Sequence, residues 1–186
     1  MKLKLMYASI FIFLLTFGCG GSISSDPLAD AWTAFEAKDY SGALVQFAAL
    51  TSDASISAEA NTGAGWSSLR LFDYANANTY FSSAASNIDA NAGLSFCEWA
   101  QGNNSNAIVK ADLVLTASST YIFLHDTQIT ASKLVLIKAH AYYELAQYDQ
   151  CLTMIKQLDG SYNPTIAPTD SAQVLVAKLT ALGPVS

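Results

Sequence analysis

Apolar side chains fall on one helical face twice in succession, at an interval that repeats. Trp32 and Phe35 stand three residues apart, as do Trp66 and Leu69, and 34 residues separate the two pairs. At the same offset Asp39 meets Asp73, Tyr40 meets Tyr74, Ala43 meets Ala77, Phe47 meets Phe81, and Ala34 meets Ser68. Spacings of three and four mark helices, with the apolar positions stacked on one side. Each segment therefore reads as two helices joined by a short turn. Asp39 and Asp73 sit where a second helix begins and can accept from its free amides. Tyr40, Tyr74 and Tyr148 cover the corners. Small residues at Ala43, Ala77, Ala107 and Ala139 let helix axes approach to about 8–10 Å. Phe47, Phe81 and Ile155, one turn on, fill the space between one hairpin and the next.

Two looser units follow. Residues 93–115 carry Gly102 and Asn103 at a turn, then Ala107 and Ala111, but lack the turn tyrosine and the large apolar residue. Residues 134–158 carry Ala139, Tyr142, Tyr148, Cys151 and Ile155. The spacing drifts, from 30 residues between Tyr74 and Asn104 to 44 between Asn104 and Tyr148. An insert at 116–130 accounts for the long interval; it is predicted to extend a helix and then cross as an ordered loop. Strand signals are confined to short apolar runs such as 121–124. Pro164 and Pro168 interrupt the chain near its end, and 171–183 reads as a last amphipathic helix closed by Gly183 and Pro184. Repeat arrays need an atypical terminal unit over their exposed core.

A 34-residue helix–turn–helix period, with Ala followed four residues later by a large apolar residue (Ala43 and Phe47, Ala77 and Phe81), resembles the tetratricopeptide repeat, or TPR. Ala64–Gly65 stands where that family favours Leu–Gly. The resemblance implies an all-α fold, a right-handed superhelix of about four TPR-like hairpins over residues 28–160, with residues 161–186 forming a Pro-containing loop and a capping helix. In such a superhelix the first helix of each hairpin lines the concave face. The outward stripe is then Trp32, Phe35 and Glu36 in unit one, and Trp66, Leu69 and Arg70 in unit two. Phe96 and Trp99 follow in unit three, and His140, Tyr143 and Glu144 in unit four. Aromatics and arginine dominate interface energies, so the stripe is the expected groove for a partner protein or peptide. Self-filling competes with that reading, through Tyr121 and Phe123 of the insert or through the C-terminal helix.

The first residues read as a targeting segment. Lys2 and Lys4 precede the apolar stretch 6–17, which is too short to span a bilayer and fits a secretory signal. Gly18–Cys19 resembles the end of the bacterial lipobox, although Thr16 and Phe17 depart from its usual residues; ordinary cleavage near Gly18–Gly20 is the alternative. The expected layout is a signal peptide at 1–18, a lipidated Cys19 opening a flexible tether at 19–27, and a domain held in the cell envelope. By analogy with bacterial sorting rules, Gly20 points to the outer membrane, facing the periplasm.

Composition narrows the function classes. Only 13% of residues are charged, the net charge is −6, and Lys and Arg are scattered singly. Phosphate binding needs clustered cations, so nucleic acid is not an expected partner. His125 and His140 are the only histidines, and no metal-binding spacing accompanies them. Gly63 and Gly65 follow helix rather than strand, which argues against a phosphate-cradling loop. Glu98 and Glu144 cannot be set opposite one another from sequence. No catalytic residue, cofactor or metal is expected, and Cys97 and Cys151 are read as buried thiols on non-adjacent helices. The expected function is an envelope lipoprotein acting as a protein-interaction scaffold or adaptor, for example in outer-membrane assembly or secretion. The alternative is a binding module for a small apolar or glycan ligand in the groove.

Overall fold

The computed structural model describes residues 26–165 and 169–185. The signal segment, Cys19, nearly all of the tether and Pro168 lie outside the described residues. Within them the chain is all-helical: α1 (Pro27–Glu36), α2 (Tyr40–Leu50), α3 (Ser57–Arg70), α4 (Tyr74–Ser83), α5 (Ile88–Ala100), α6 (Asn104–Ala117), α7 (Ala131–Glu144), α8 (Tyr148–Leu158) and α9 (Ser171–Leu182). The only β pairing among the described residues is an isolated bridge between Ile122 and Thr130. No described helix is long and apolar enough to cross a membrane.

Helix starts follow the expected chemistry. Asp39 accepts from the Gly42 amide at 2.9 Å and Asp73 from the Asn76 amide at 3.2 Å. Asp26 caps α1 at 3.0 Å, ahead of Pro27 at the first helical position, where a missing N–H does no harm.

The turns within the four hairpins are the same turn. Lys38, Phe72, Gly102 and Ala146 each adopt a left-handed backbone, with φ of 66°, 61°, 79° and 54°. At each, that residue's amide donates to the carbonyl three residues back: Lys38 to Phe35, Phe72 to Leu69, Gly102 to Trp99 and Ala146 to Tyr143. The next amide donates five back: Asp39 to Ala34, Asp73 to Ser68, Asn103 to Glu98 and Gln147 to Tyr142. This is a Schellman closure. Its second residue is also the start of the following helix, so one motif ends α1, α3, α5 and α7 and launches their partners. The third unit, whose sequence match is poorest, keeps the turn through glycine, which takes positive φ without strain.

These turns correct one alignment. Measured from the left-handed residue, Ala43, Ala77 and Ala107 occupy one position on α2, α4 and α6, and the equivalent on α8 is Cys151. Ala139, taken from sequence as the fourth member, lies on α7. All five side chains are fully buried. A thiol serves as the small apolar residue there, and burial pushes Cys151 up to about 11. Cys97 on α5 is likewise a free buried thiol, pushed up to about 12 by burial and then by the neighbouring Glu98.

Each helix packs on the next. The odd helices α1, α3, α5, α7 and α9 also pack in a row, each on the following one, whereas no such contacts join the even helices. Phe47 and Phe81 cross between layers, and glycines make room for them. A Cβ on Gly63 would come within 2.4 Å of the Phe47 ring, and one on Gly65 or Gly93 within 2.5 or 2.1 Å of the Phe81 ring. Gly63 and Gly65 are thus hollows for rings. At the far end, Lys178 of α9 donates to Asp159 at 2.7 Å and lies over the Tyr162 ring.

Gly93→Ala should lower stability by about 1–3 kcal/mol through overpacking against Phe81, although helix propensity alone favours alanine by about 1 kcal/mol. A urea-midpoint shift in the destabilising direction is the expected result.

Candidate functional site

The shared turn puts the predicted groove residues in register. Six positions before the left-handed residue stand Trp32, Trp66, Phe96 and His140; three before it stand Phe35, Leu69, Trp99 and Tyr143; two before it stand Glu36, Arg70, Ala100 and Glu144. All eleven predicted stripe residues belong to these rows, on the helices that pack in a row of their own. Neighbouring members touch: the Trp66 and Phe96 rings lie 5.9 Å apart, and those of Trp99 and His140 5.7 Å apart.

The rows are covered by the chain itself. Between α6 and α7 the loop 118–130 closes on its own backbone, with Phe123 donating to Ile129 at 2.9 Å and Ala131 to Tyr121 at 2.7 Å. The Phe123 ring is buried and stacked on Trp66 at 4.7 Å, with Trp32 and Phe35 edge-on at 6.0 and 6.2 Å. His125 lies parallel on Trp32 at 3.7 Å, its Nδ1 2.8 Å from Glu36. Asp126 pairs with Arg70, and the buried Tyr121 hydroxyl donates to Asp89 at 2.7 Å. Phe123 of the insert therefore lies against the predicted stripe, while Tyr121 bonds Asp89 of α5. A bulky loop with alternating apolar residues beside an aromatic stripe offers each a partner that water cannot.

Consequently Trp32, Phe35, Trp66 and Phe96 are buried, Trp66 with 0% of its surface exposed. Leu69, Arg70, Trp99, His140 and Tyr143 are partly covered, and Glu144 is exposed. Burial holds the His140 imidazole below its usual value, partly opposed by Glu144, so the ring is neutral at pH 7. Tyr143 leans on Tyr148 at 5.9 Å, away from the loop.

One opening persists beside the plug. A cavity of ≈130 Å³ is lined by Trp66, Leu69, Arg70, Phe72, Trp99 and Val185, together with Tyr74, Phe96, Ala100 and Ile129. Phe72, Ile129 and Val185 escaped the sequence reading, and Tyr74 was read there only as a corner residue. Phe72 occupies the left-handed turn position held elsewhere by Lys38, Gly102 and Ala146, so aligning the turns exposes it as the one aromatic there. Val185 follows α9 and is buried, its neighbour Pro184 accepting from Lys133 at 2.7 Å; nothing in so short a segment signals that contact. Among the described residues no group of His, Cys, Asp and Glu is disposed to hold a metal. What the arrangement offers is apolar enclosure with a few hydrogen-bond donors. No protein-family model matches the chain, and comparison with curated proteins returns no match.

Asp89 sits under the loop with its carboxyl held above the usual value, chiefly by burial, which the Tyr121 bond partly offsets. A raised acid stabilises the fold when protonated. That contribution is full below the ordinary value of 3.8 and is lost as pH climbs through the raised one. Asp89→Asn, which still accepts from Tyr121, should flatten stability over that window and match or exceed the parent at pH 7. Tyr121→Phe, which strands a buried acceptor, should cost about 1–3 kcal/mol. Urea titrations at a series of pH values test both.

Proposed function

We propose that this protein is an envelope lipoprotein, a TPR-like hairpin array tethered through Cys19, that works as an adaptor binding a partner polypeptide at the rim of its plugged groove. The four identical turns, at intervals of 34, 30 and 44 residues from Lys38 to Ala146, support reading the chain as one hairpin written four times. The observation that carries the adaptor role is what remains uncovered once the groove is plugged. Phe72 is 74% exposed and Leu124 is 79% exposed, on either side of Arg70, which lines both the cavity beside Phe72 and the shallow depression beside Leu124. Phe72 meets the Tyr74 ring edge-on at 6.5 Å, yet its left-handed backbone holds most of the side chain outward. Large apolar groups at a polar rim are the types that anchor interfaces.

A second reading, a module for a small ligand, draws support from the cavity itself. Its volume resembles that of an engineered protein cavity of about 150 Å³ that binds benzene.

Photo-crosslinking residues placed at positions 72 and 124 in intact cells should give an adduct of one defined mass. The same residue at Val45, 71% exposed on α2, should not. Adducts at all three positions, or none at 72 and 124, would remove the rim as the docking surface. Membrane attachment has a separate check: Cys19→Ser should move the protein from the membrane fraction to the soluble one.

A further inference from the structure

The cavity beside the plug takes its reachable walls from three parts of the chain. Leu69 and Arg70 come from α3, Phe72 and Tyr74 from the turn into α4, and Trp99 and Ala100 from the end of α5. All six are exposed or only partly covered, so none is sealed off from a molecule entering the mouth. Three of them are aromatic. No carboxylate or amide side chain lines the space. Water held there meets few polar side chains, whereas an apolar molecule covers Leu69, Phe72 and Trp99 together and releases that water.

Charge decides the class of ligand. Aromatic faces by themselves attract a cation. Here no carboxylate lines the cavity to assist, and the charged residue that does line it is Arg70, which repels one. An anion fares no better. Arg70 also lines the depression on its other side, where it pairs with Asp126, a residue of that depression and not of the cavity. An entering anion would give up its hydration to reach a guanidinium whose charge a carboxylate already balances. An uncharged molecule meets neither penalty. Volume decides the size, since ≈130 Å³ holds about one six-membered ring.

We propose that this cavity binds a small, uncharged, apolar molecule of single-ring size, enclosed by Leu69, Phe72, Tyr74 and Trp99. The proposal rests on the small-ligand reading above and supplies its chemical class, an aromatic or alicyclic ring without a charged substituent.

The test uses the Cys19→Ser chain, which needs no detergent that would compete for an apolar site. Toluene, benzoate and benzylammonium present one ring as a neutral molecule, an anion and a cation. In a ¹³C-correlated methyl spectrum, toluene should move the Leu69 methyl signals saturably through its ring current. The methyls of Leu113, 52% exposed on α6, should stay in place. Benzoate and benzylammonium should bind at least tenfold more weakly. Ala100 lines the cavity yet is exposed, so Ala100→Phe should weaken toluene at least tenfold while leaving the helical circular dichroism unchanged. Benzoate or benzylammonium binding as tightly as toluene would overturn the neutral class and leave a small-ligand site. Unchanged toluene affinity in Ala100→Phe, or equal shifts at Leu113, would remove the cavity as the site. No saturable Leu69 shift with any of the three probes would end both the proposal and the reading beneath it.

Discussion

The Phe123 ring lying on Trp66 is the contact on which the rest of the interior depends. A row of helices that all turn aromatic residues the same way cannot leave that face bare, because an uncovered apolar stripe costs about 25 cal/mol for every Å² left in water. Repeat arrays bury most of their apolar surface between neighbours, but the face along the row has no neighbour within the array. Here the α6–α7 loop supplies one. Phe123 reaches Trp32, Phe35 and Trp66 together, spanning the first two hairpins from a loop that leaves the third. Its polar flanks hold it in place: His125 against Glu36 and Asp126 against Arg70 tie it to α1 and α3, and Tyr121 ties it to α5. The loop is therefore a structural part of three hairpins.

That arrangement explains where charge has gone in a chain so poor in it. Of the three ion pairs among the described residues that involve no histidine, one fastens the plug beside the His125–Glu36 contact, one joins α6 to α7 through Asp112 and Lys138, and one fastens α9 through Asp159 and Lys178. Exposed pairs contribute little. Arg70, Asp126 and His125 are each largely covered, and their bonds fix orientation, since a ring can slide over another ring whereas a guanidinium–carboxylate pair cannot. The caps and turns elsewhere are built largely from Asp, Asn, Ser and Thr.

The hairpin period was legible because it repeats a constraint. Each second helix must start at one distance from the same turn, so Asp39 and Asp73, Ala43 and Ala77, and Phe47 and Phe81 recur in place. Where another residue satisfies the constraint equally well, the letters stop matching. Gly102 replaces Lys38 or Phe72 because any residue able to hold a left-handed backbone will serve. Cys151 replaces alanine because a thiol is small and apolar, and that is how Ala139 came to be misaligned. The eleven stripe positions were found by helical spacing alone, but their burial was not, since spacing says which residues share a face and says nothing of what lies on it. Phe123 could be suspected from its place in an apolar run. Its orientation could not, because no local rule fixes where a loop side chain points over some ninety residues of intervening chain.

The plug also accounts for the cavity's position. A loop wide enough to cover Trp32 and Trp66 ends at Ile129, where it must turn into α7, and Val185, after α9, borders the same space. Between these two edges the row at Leu69, Trp99 and Ala100 is left without a lid. An empty apolar void costs about 24 cal/mol per Å³, so one of ≈130 Å³ costs up to about 3 kcal/mol, a sizeable part of the roughly 5–15 kcal/mol that holds a domain together. The mouth is open to water, which lowers that figure.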